Sequence, residues 1–236
     1  MFLRLIIFLL IFAINLLNGS YIKDEFDKDN SEKGVLVSAN IEAEYVLKIK
    51  PADGIRATKS QMETISSVTR IKLDNMGYYD AVISNGNNDT ILIGFPEKPD
   101  NLDDIEKAVC QKPMLTLRDY KGNILMEGTD EFLRDAQMQY GQTNSFGEAE
   151  YFVSLALTEK GQEKFMSATE TVLGYAEDGN NYISIYLDDI LITMPVVGAV
   201  INADSCIISG SFTKESATAL AAQIRRGMLP FELVCE

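Results

Sequence analysis

The sequence predicts an α+β protein behind an apolar amino-terminal helix, and three observations carry that prediction. Alternating apolar residues and helical apolar stripes follow one another along the chain, neither pattern dominating. Cap and turn signals, Thr58 with Gln61, Gly77, the run 85–89, Thr213 and Gly227, fall at the joints between them. The 236 residues are 46% hydrophobic and 24% charged. At about 150 residues per domain that suits one or two packed units, and it suits neither a disordered chain nor a multi-pass membrane protein.

Residues 1–17 (MFLRLIIFLLIFAINLL) are apolar except for Arg4 and Asn15. Their length falls between a signal-peptide core and a span of about 20 residues. The following Asn18-Gly19-Ser20 offers no small-x-small cleavage pattern, which favours an uncleaved anchor. Within 1–20 positive charge lies only at Arg4 and the amino terminus, and the acidic Asp24, Glu25, Asp27 and Asp29 follow, which predicts a cytoplasmic start and an extracytoplasmic bulk. Charged residues then dominate 21–34, with too few apolar groups for a core, so that stretch reads as a solvated tether.

Tyr45, Leu47 and Ile49 alternate with Val46, Lys48 and Lys50, a strand that Pro51 ends. Thr58 and Gln61 form a capping box for a helix whose Met62, Ile65, Leu73 and Met76 share a stripe, with Val68 at its edge and Gly77 as a left-handed stop. Short strands at 79–84 and 90–95 flank Asn85 to Asp89, residue types that accept the positive φ of a hairpin. Pro99, Asp100 and Asn101 open a second helix with Leu102, Ile105 and Val109 inward, and Pro113 precedes a strand at 114–118. The order βαββαβ is that of the ferredoxin-like split βαβ, a four-stranded antiparallel sheet under two helices.

Residues 122–147 read as a connecting excursion, with a short helix around Phe132, Leu133 and Ala136 and then GQTNSFGE as a turn. Beyond it come a strand at 151–157, a helix at 158–173 with Phe165 and Val172 inward, a strand at 182–187 and its partner at 190–193. A strand at 206–209 leads to a helix capped by Thr213, with Ala217, Leu220, Ala221 and Ile224 on one face. Glu215 suits the positive end of that helix, Arg225 and Arg226 suit its negative end, and Gly227 closes it.

The chemistry is defined mostly by exclusion. A net charge of −14 repels phosphate backbones, so nucleic acid is not an expected partner. With no histidine, Ser-His-Asp and Cys-His catalysis and His-ligated zinc are excluded. Cys110, Cys206 and Cys235, odd in number and far apart, suggest neither a disulfide framework nor a metal knuckle but half-buried apolar groups. Phosphate-binding glycine loops and a nucleophile elbow are missing. The acid pairs Asp103-Asp104 and Asp188-Asp189 read as a helix first turn and a strand turn. No enzyme, metal or cofactor is expected.

The stretch NYISIYLDDILITMPVVGAVINADSCIISGSFTKESATALAAQIRRGMLPFELV resembles the end of the first large extracytoplasmic domain of SecD, the accessory subunit of the bacterial Sec protein translocase. Leu187 and Asp188 end a strand, and Pro195 ends its partner. Ile208, Ser209 and Gly210 make the Ile-x-Gly segment. Phe212 and Thr213 precede a helix bearing Ala217 and Leu220, and Gly227, Leu229 and Pro230 form Gly-x-Leu-Pro. Upstream, YFVSLALTEKGQEKF and TRIKLDNMGYYDAVIS resemble further family segments, so the likeness runs over roughly 41–236. These residues read as fold determinants whose combination marks the family, not as binding groups. Two departures stand out: the family's Gly-Leu-Asp-Leu-x-Gly-Gly opening is replaced by Gly34-Val35-Leu36-Val37-Ser38, and its Leu-Asp-Gly turn by Leu187-Asp188-Asp189.

The resemblance implies a transmembrane anchor (1–20), an acidic tether (21–40), a ferredoxin-like base (41–112 and 204–236) and an inserted α+β head (113–203). It implies a membrane-bound subunit of protein export that works with SecF and the SecYEG channel. Such a subunit grips unfolded preprotein outside the membrane and draws on proton flow, each charge supplying about 2.3 kcal/mol per 100 mV. The acids for proton passage would lie in membrane helices beyond Glu236. Phe132, Tyr140 and Phe146 are the candidate client contacts. The alternative reading is a self-sufficient, membrane-anchored extracytoplasmic binding or scaffolding module.

Overall fold

The computed structural model describes residues 37–38, 41–52, 55–143 and 148–236. The expected anchor, the tether up to residue 36 and Phe146 lie outside them. No helix among the described residues is long and apolar enough to cross a membrane.

A short hairpin, β1 (Val37–Ser38) with β2 (Ile41–Glu42), leads into β3 (Tyr45–Pro51) and α1 (Lys59–Asn75). Thr58 and Gln61 make the expected reciprocal cap, and Gly77 takes the expected left-handed φ of +90°. β4 (Val82–Asn85) and β5 (Ile91–Phe95) form a hairpin through Asn88 and Asp89, both at positive φ. α2 (Leu102–Cys110) follows, with Asp103 and Asp104 in its first turn. The chain then leaves after Cys110 and returns at its end as β13 (Leu233–Cys235) to complete the sheet order β13-β3-β5-β4, antiparallel throughout. Leu47, Ile49, Ile65, Leu73, Ile93, Ile105, Leu229, Phe231 and Leu233 fill one core between this sheet and the two helices. Full burial of side chains of this size stabilises by about 1.5–3 kcal/mol each.

The fourth strand of this sheet is therefore not the expected segment at 114–118. β6 (Leu115–Arg118) pairs instead with β7 (Ile124–Glu127) and β10 (Ser184–Leu187). Alternation marks a residue run as a strand without naming its partner, and the true partner here comes from the other end of the chain.

β6, β7, β10 and β11 (Ile190–Thr193) form one sheet in the order β11-β10-β6-β7. β8 (Leu133–Gly141), β9 (Glu150–Leu157) and β12 (Ser205–Phe212) form a second in the order β12-β9-β8. α3 (Glu159–Leu173) and α4 (Lys214–Gly227) pack with them around Leu117, Leu133, Val153, Phe165, Val172, Ile185, Ile208 and Leu220. The segment 204–236, expected whole in the base, is thus divided: β12 and α4 contribute to this second core, and only 229–235 to the first.

The helix expected around Phe132, Leu133 and Ala136 is the start of β8. Leu133 and Ala136 are both buried although three apart, because the pairing with β9 shifts register between Leu133 and Asp135. The bulge inserts one residue and turns a strand's two-residue period into a helix-like three.

Cys110 and Cys235 form a disulfide across a sequence separation of 125, with their Cα atoms 6.8 Å apart, where no disulfide was expected. The return of β13 to the end of α2 makes them neighbours. Cys206 is free, and burial pushes its thiol up to about 12, in keeping with an inert apolar role.

Candidate functional site at the neck and along an apolar ribbon

Two chain crossings join the units, one leaving α2 through Pro113 and one leaving α4 through Met228. The family-motif residues gather on this neck and on the structure just before it. Gly227 does not stop α4 by a left-handed turn, as its sequence position suggested, since the helix ends on Met228 in ordinary helical geometry. Gly227 lies inside the helix because a Cβ there would collide with the backbone oxygen of Pro113. In the β10–β11 turn the positive φ, +55°, falls on Asp188 and not on Asp189, the position matching the glycine of Leu-Asp-Gly. Asp188 Oδ1 accepts from the Met114 N–H at 2.8 Å, and its own N–H donates to the Met114 carbonyl at 2.7 Å. Those two bonds clip the β10–β11 turn to the neck and support a conformation that Asp tolerates better than most residues.

The remaining motif residues hold the second unit together. Leu187, Ile208, Ala217 and Leu220 are buried in its core. Thr213 caps α4, its side chain accepting from Ser216 N–H at 3.2 Å. Ser209 and Gly210 lie where the β12–β9 register shifts, with Phe212 packed beside Gly210. Leu229 lies in the first core, and Pro230 follows it on the surface.

Two cations at the neck have roles there that no sequence signal gave. Arg226 is 1% exposed, and its Nη2 donates to the Cys110 carbonyl at 3.1 Å. Lys72 Nζ donates to the Ala108 and Gln111 carbonyls, both at 2.5 Å. Together they satisfy the open carbonyls at the negative end of α2. Arg226, which by position served the end of its own helix, serves a different one. Arg225 also reaches away, donating from Nη1 to the Ala136 carbonyl of β8 at 3.3 Å. Burial, reinforced by Arg226, lowers the Lys72 ammonium to about 8, with Asp188 opposing. Burial likewise lowers Arg226, against the pull of Glu232.

Phe132 is half-buried against the second core, its carbonyl accepting from the Thr158 N–H at 3.0 Å. Tyr140 is 63% exposed, its ring 4.7 Å from that of Tyr151. The larger apolar surface lies elsewhere, on the ribbon after β10, where Ile190 is 70%, Met194 50% and Val196 73% exposed. Its signal was present in the sequence: no charged residue occurs between Asp189 and Asp204.

The family model for the SecDF P1 head subdomain matches residues 113–231. A protein translocase subunit SecD from Synechocystis is 33% identical over 143 residues, which is 58% of this chain and 28% of that protein. Another from Dictyoglomus turgidum is 24% identical over 187 residues, 78% of this chain and 43% of that protein. The chain therefore spans less than half the length of these curated relatives. The crystal structure of SecDF, a translocon-associated membrane protein from Thermus thermophilus, matches with a TM-score of 0.51 at 21% identity, over 80% of this chain and 30% of that one. That likeness concerns the fold, a mixed α+β arrangement with antiparallel sheets.

Proposed function

This chain belongs to the SecDF P1 head family, and from that membership we propose that it holds emerging, unfolded preprotein on the outer side of the membrane and promotes its translocation. The match over 113–231 carries the reading. In this reading the chain is no enzyme; it works with SecF and the SecYEG channel, and proton-conducting helices outside this sequence power the movement. Residues 1–20 are the membrane anchor and 21–40 a tether. The unit with sheet order β13-β3-β5-β4 is a ferredoxin-like base. Residues 113–228 are the head, and the neck transmits movement between the two.

The packing supports a rigid transmission. Gly227 against Pro113, Asp188 against Met114 and Arg226 against Cys110 leave little slack between the units. A test is binding of reduced, carboxymethylated α-lactalbumin, which cannot fold, by the full chain in phosphatidylcholine nanodiscs. The unfolded protein is expected to bind and its native, disulfide-bonded form to stay free. Failure to bind either form, or equal binding of both, overturns the proposal.

A further inference from the structure

We propose that the outer edge of the β10–β11 hairpin, from Ile190 to Val196, is a docking edge that an extended apolar polypeptide segment with a basic flank joins as an added strand. This rests on the preprotein-holding function proposed above and assigns it a place and a mode of binding.

The ladder between β10 and β11 continues past Thr193. The Ile183 N–H donates to the Pro195 carbonyl at 3.0 Å, and the Val197 N–H donates to the Asn181 carbonyl at 2.7 Å, on either side of a Tyr182–Val196 bridge. Residues 195 and 197 thus bond inward, so by alternation Met194 and Val196 direct their N–H and C=O groups outward. Pro195, which lacks an N–H, occupies an inward position and removes no donor from the outer edge. Among the described residues no backbone hydrogen bond reaches that edge: β11 is paired on one side alone, to β10, and β12 passes near it without pairing.

The side chains make the edge unusual. Exposed strand edges are ordinarily protected by lysine, by inward charges or by a covering element. Here Ile190, Leu191, Met194 and Val196 are all exposed, and the chain carries no charge from residue 190 to 203 although 24% of it is charged overall. Outward backbone groups two residues apart, beside apolar side chains, fit an extended segment that pairs through its own backbone. Such pairing is tolerant of sequence, which suits a subunit that meets many clients.

Charge selects the occupant further. Asp189 is exposed at the turn that begins the edge, so a basic flank at that end of the incoming segment is favoured. A second copy of this chain, by contrast, would bring the same acidic turn on a molecule of net charge −14.

The test uses a fluorescein-labelled peptide of alternating valine and serine with lysines at one end, titrated by anisotropy with the full chain in phosphatidylcholine nanodiscs. Val196→Asp is expected to weaken binding by roughly tenfold or more, and full N-methylation of the peptide backbone is expected to abolish it. Val196 is 73% exposed, so the variant should keep the parent's urea midpoint, which is measured alongside. Unchanged affinity in Val196→Asp, or undiminished binding of the N-methylated peptide, overturns the proposal. Unfolded α-lactalbumin that still binds Val196→Asp as tightly as the parent overturns this docking edge while leaving the proposed function standing. Absence of α-lactalbumin binding to the unsubstituted chain removes both, and absence of peptide binding alone overturns the docking edge. Dimerisation abolished by Val196→Asp, without peptide binding, assigns the edge to a second copy and overturns the proposal as well.

Discussion

The two packed units are built from similar parts and closed in different ways. The first takes its last strand from the far end of the chain, and a disulfide between Cys110 and Cys235 fixes that strand to α2. The second is continuous in sequence from β6 to α4 and carries no cross-link; its closure relies on backbones meeting at glycine, as Gly161 does with Phe132. A strand recruited over a long separation carries a loop-closure entropy cost, and a covalent clasp offsets it. A continuous unit gains the same security from close packing.

The contrast breaks most visibly at the clasp. With the second unit folded, the neck already brings Pro113 and Gly227 together, so the loop that the disulfide closes is effectively short. Loss of a cross-link over roughly 15 residues costs about 3 kcal/mol. Cys235→Ser, or dithiothreitol on the parent, is expected to lower hydrogen-exchange protection at Ile93 in the first core while Val153 in the second keeps its own. Equal losses at both amides would mean that the units unfold as one, and the contrast would fail.

The reciprocal experiment acts on the second unit. A Cβ at Gly161 would run into the Phe132 carbonyl, which is backbone and cannot swing aside. Gly161→Ala should therefore destabilise this unit by about 2 kcal/mol, read as a lower urea midpoint for Val153 exchange with Ile93 unaffected. Gly198→Ala, where a Cβ meets nothing within 4 Å, is the control and should stay within about 0.5 kcal/mol of the parent.

What the sequence disclosed divides along the same line. Local devices were legible: the Thr58–Gln61 cap, the left-handed Gly77, the positive φ at Asn88 and Asp89, and the Thr213 cap each depend on residues within a few positions of one another. Features depending on a distant partner were not. Leu115 to Arg118 alternates as a strand of either sheet would, and Cys110 gives no sign of meeting Cys235. At Leu133 and Ala136 the register shift disguised a strand as a helix. At the neck, Arg226 reads as a complement to its own helix dipole until the fold brings Cys110 beside it. The motif residues were found because their combination is distinctive, while the reason for Gly227, contact with Pro113, emerged only in three dimensions.

The last effect is read across pH, where the two units meet. Lys72 is held at about 8, against 10.5 for an unhindered lysine, chiefly because burial penalises its charge. Between those two pH values the unfolded chain binds a proton at Lys72 that the folded chain has released, so stability gains a term that rises with pH across this window. Below about pH 8 both states are protonated and the cost of the buried charge is present in full. The parent should therefore gain stability relative to Lys72→Met as urea melts move from pH 8 towards 10.5, the difference between the two cancelling the other lysines and tyrosines. A difference that is flat or falls with pH would mean that the Ala108 and Gln111 carbonyls keep Lys72 charged, and that the neck is held by an ammonium cap at every pH in the window.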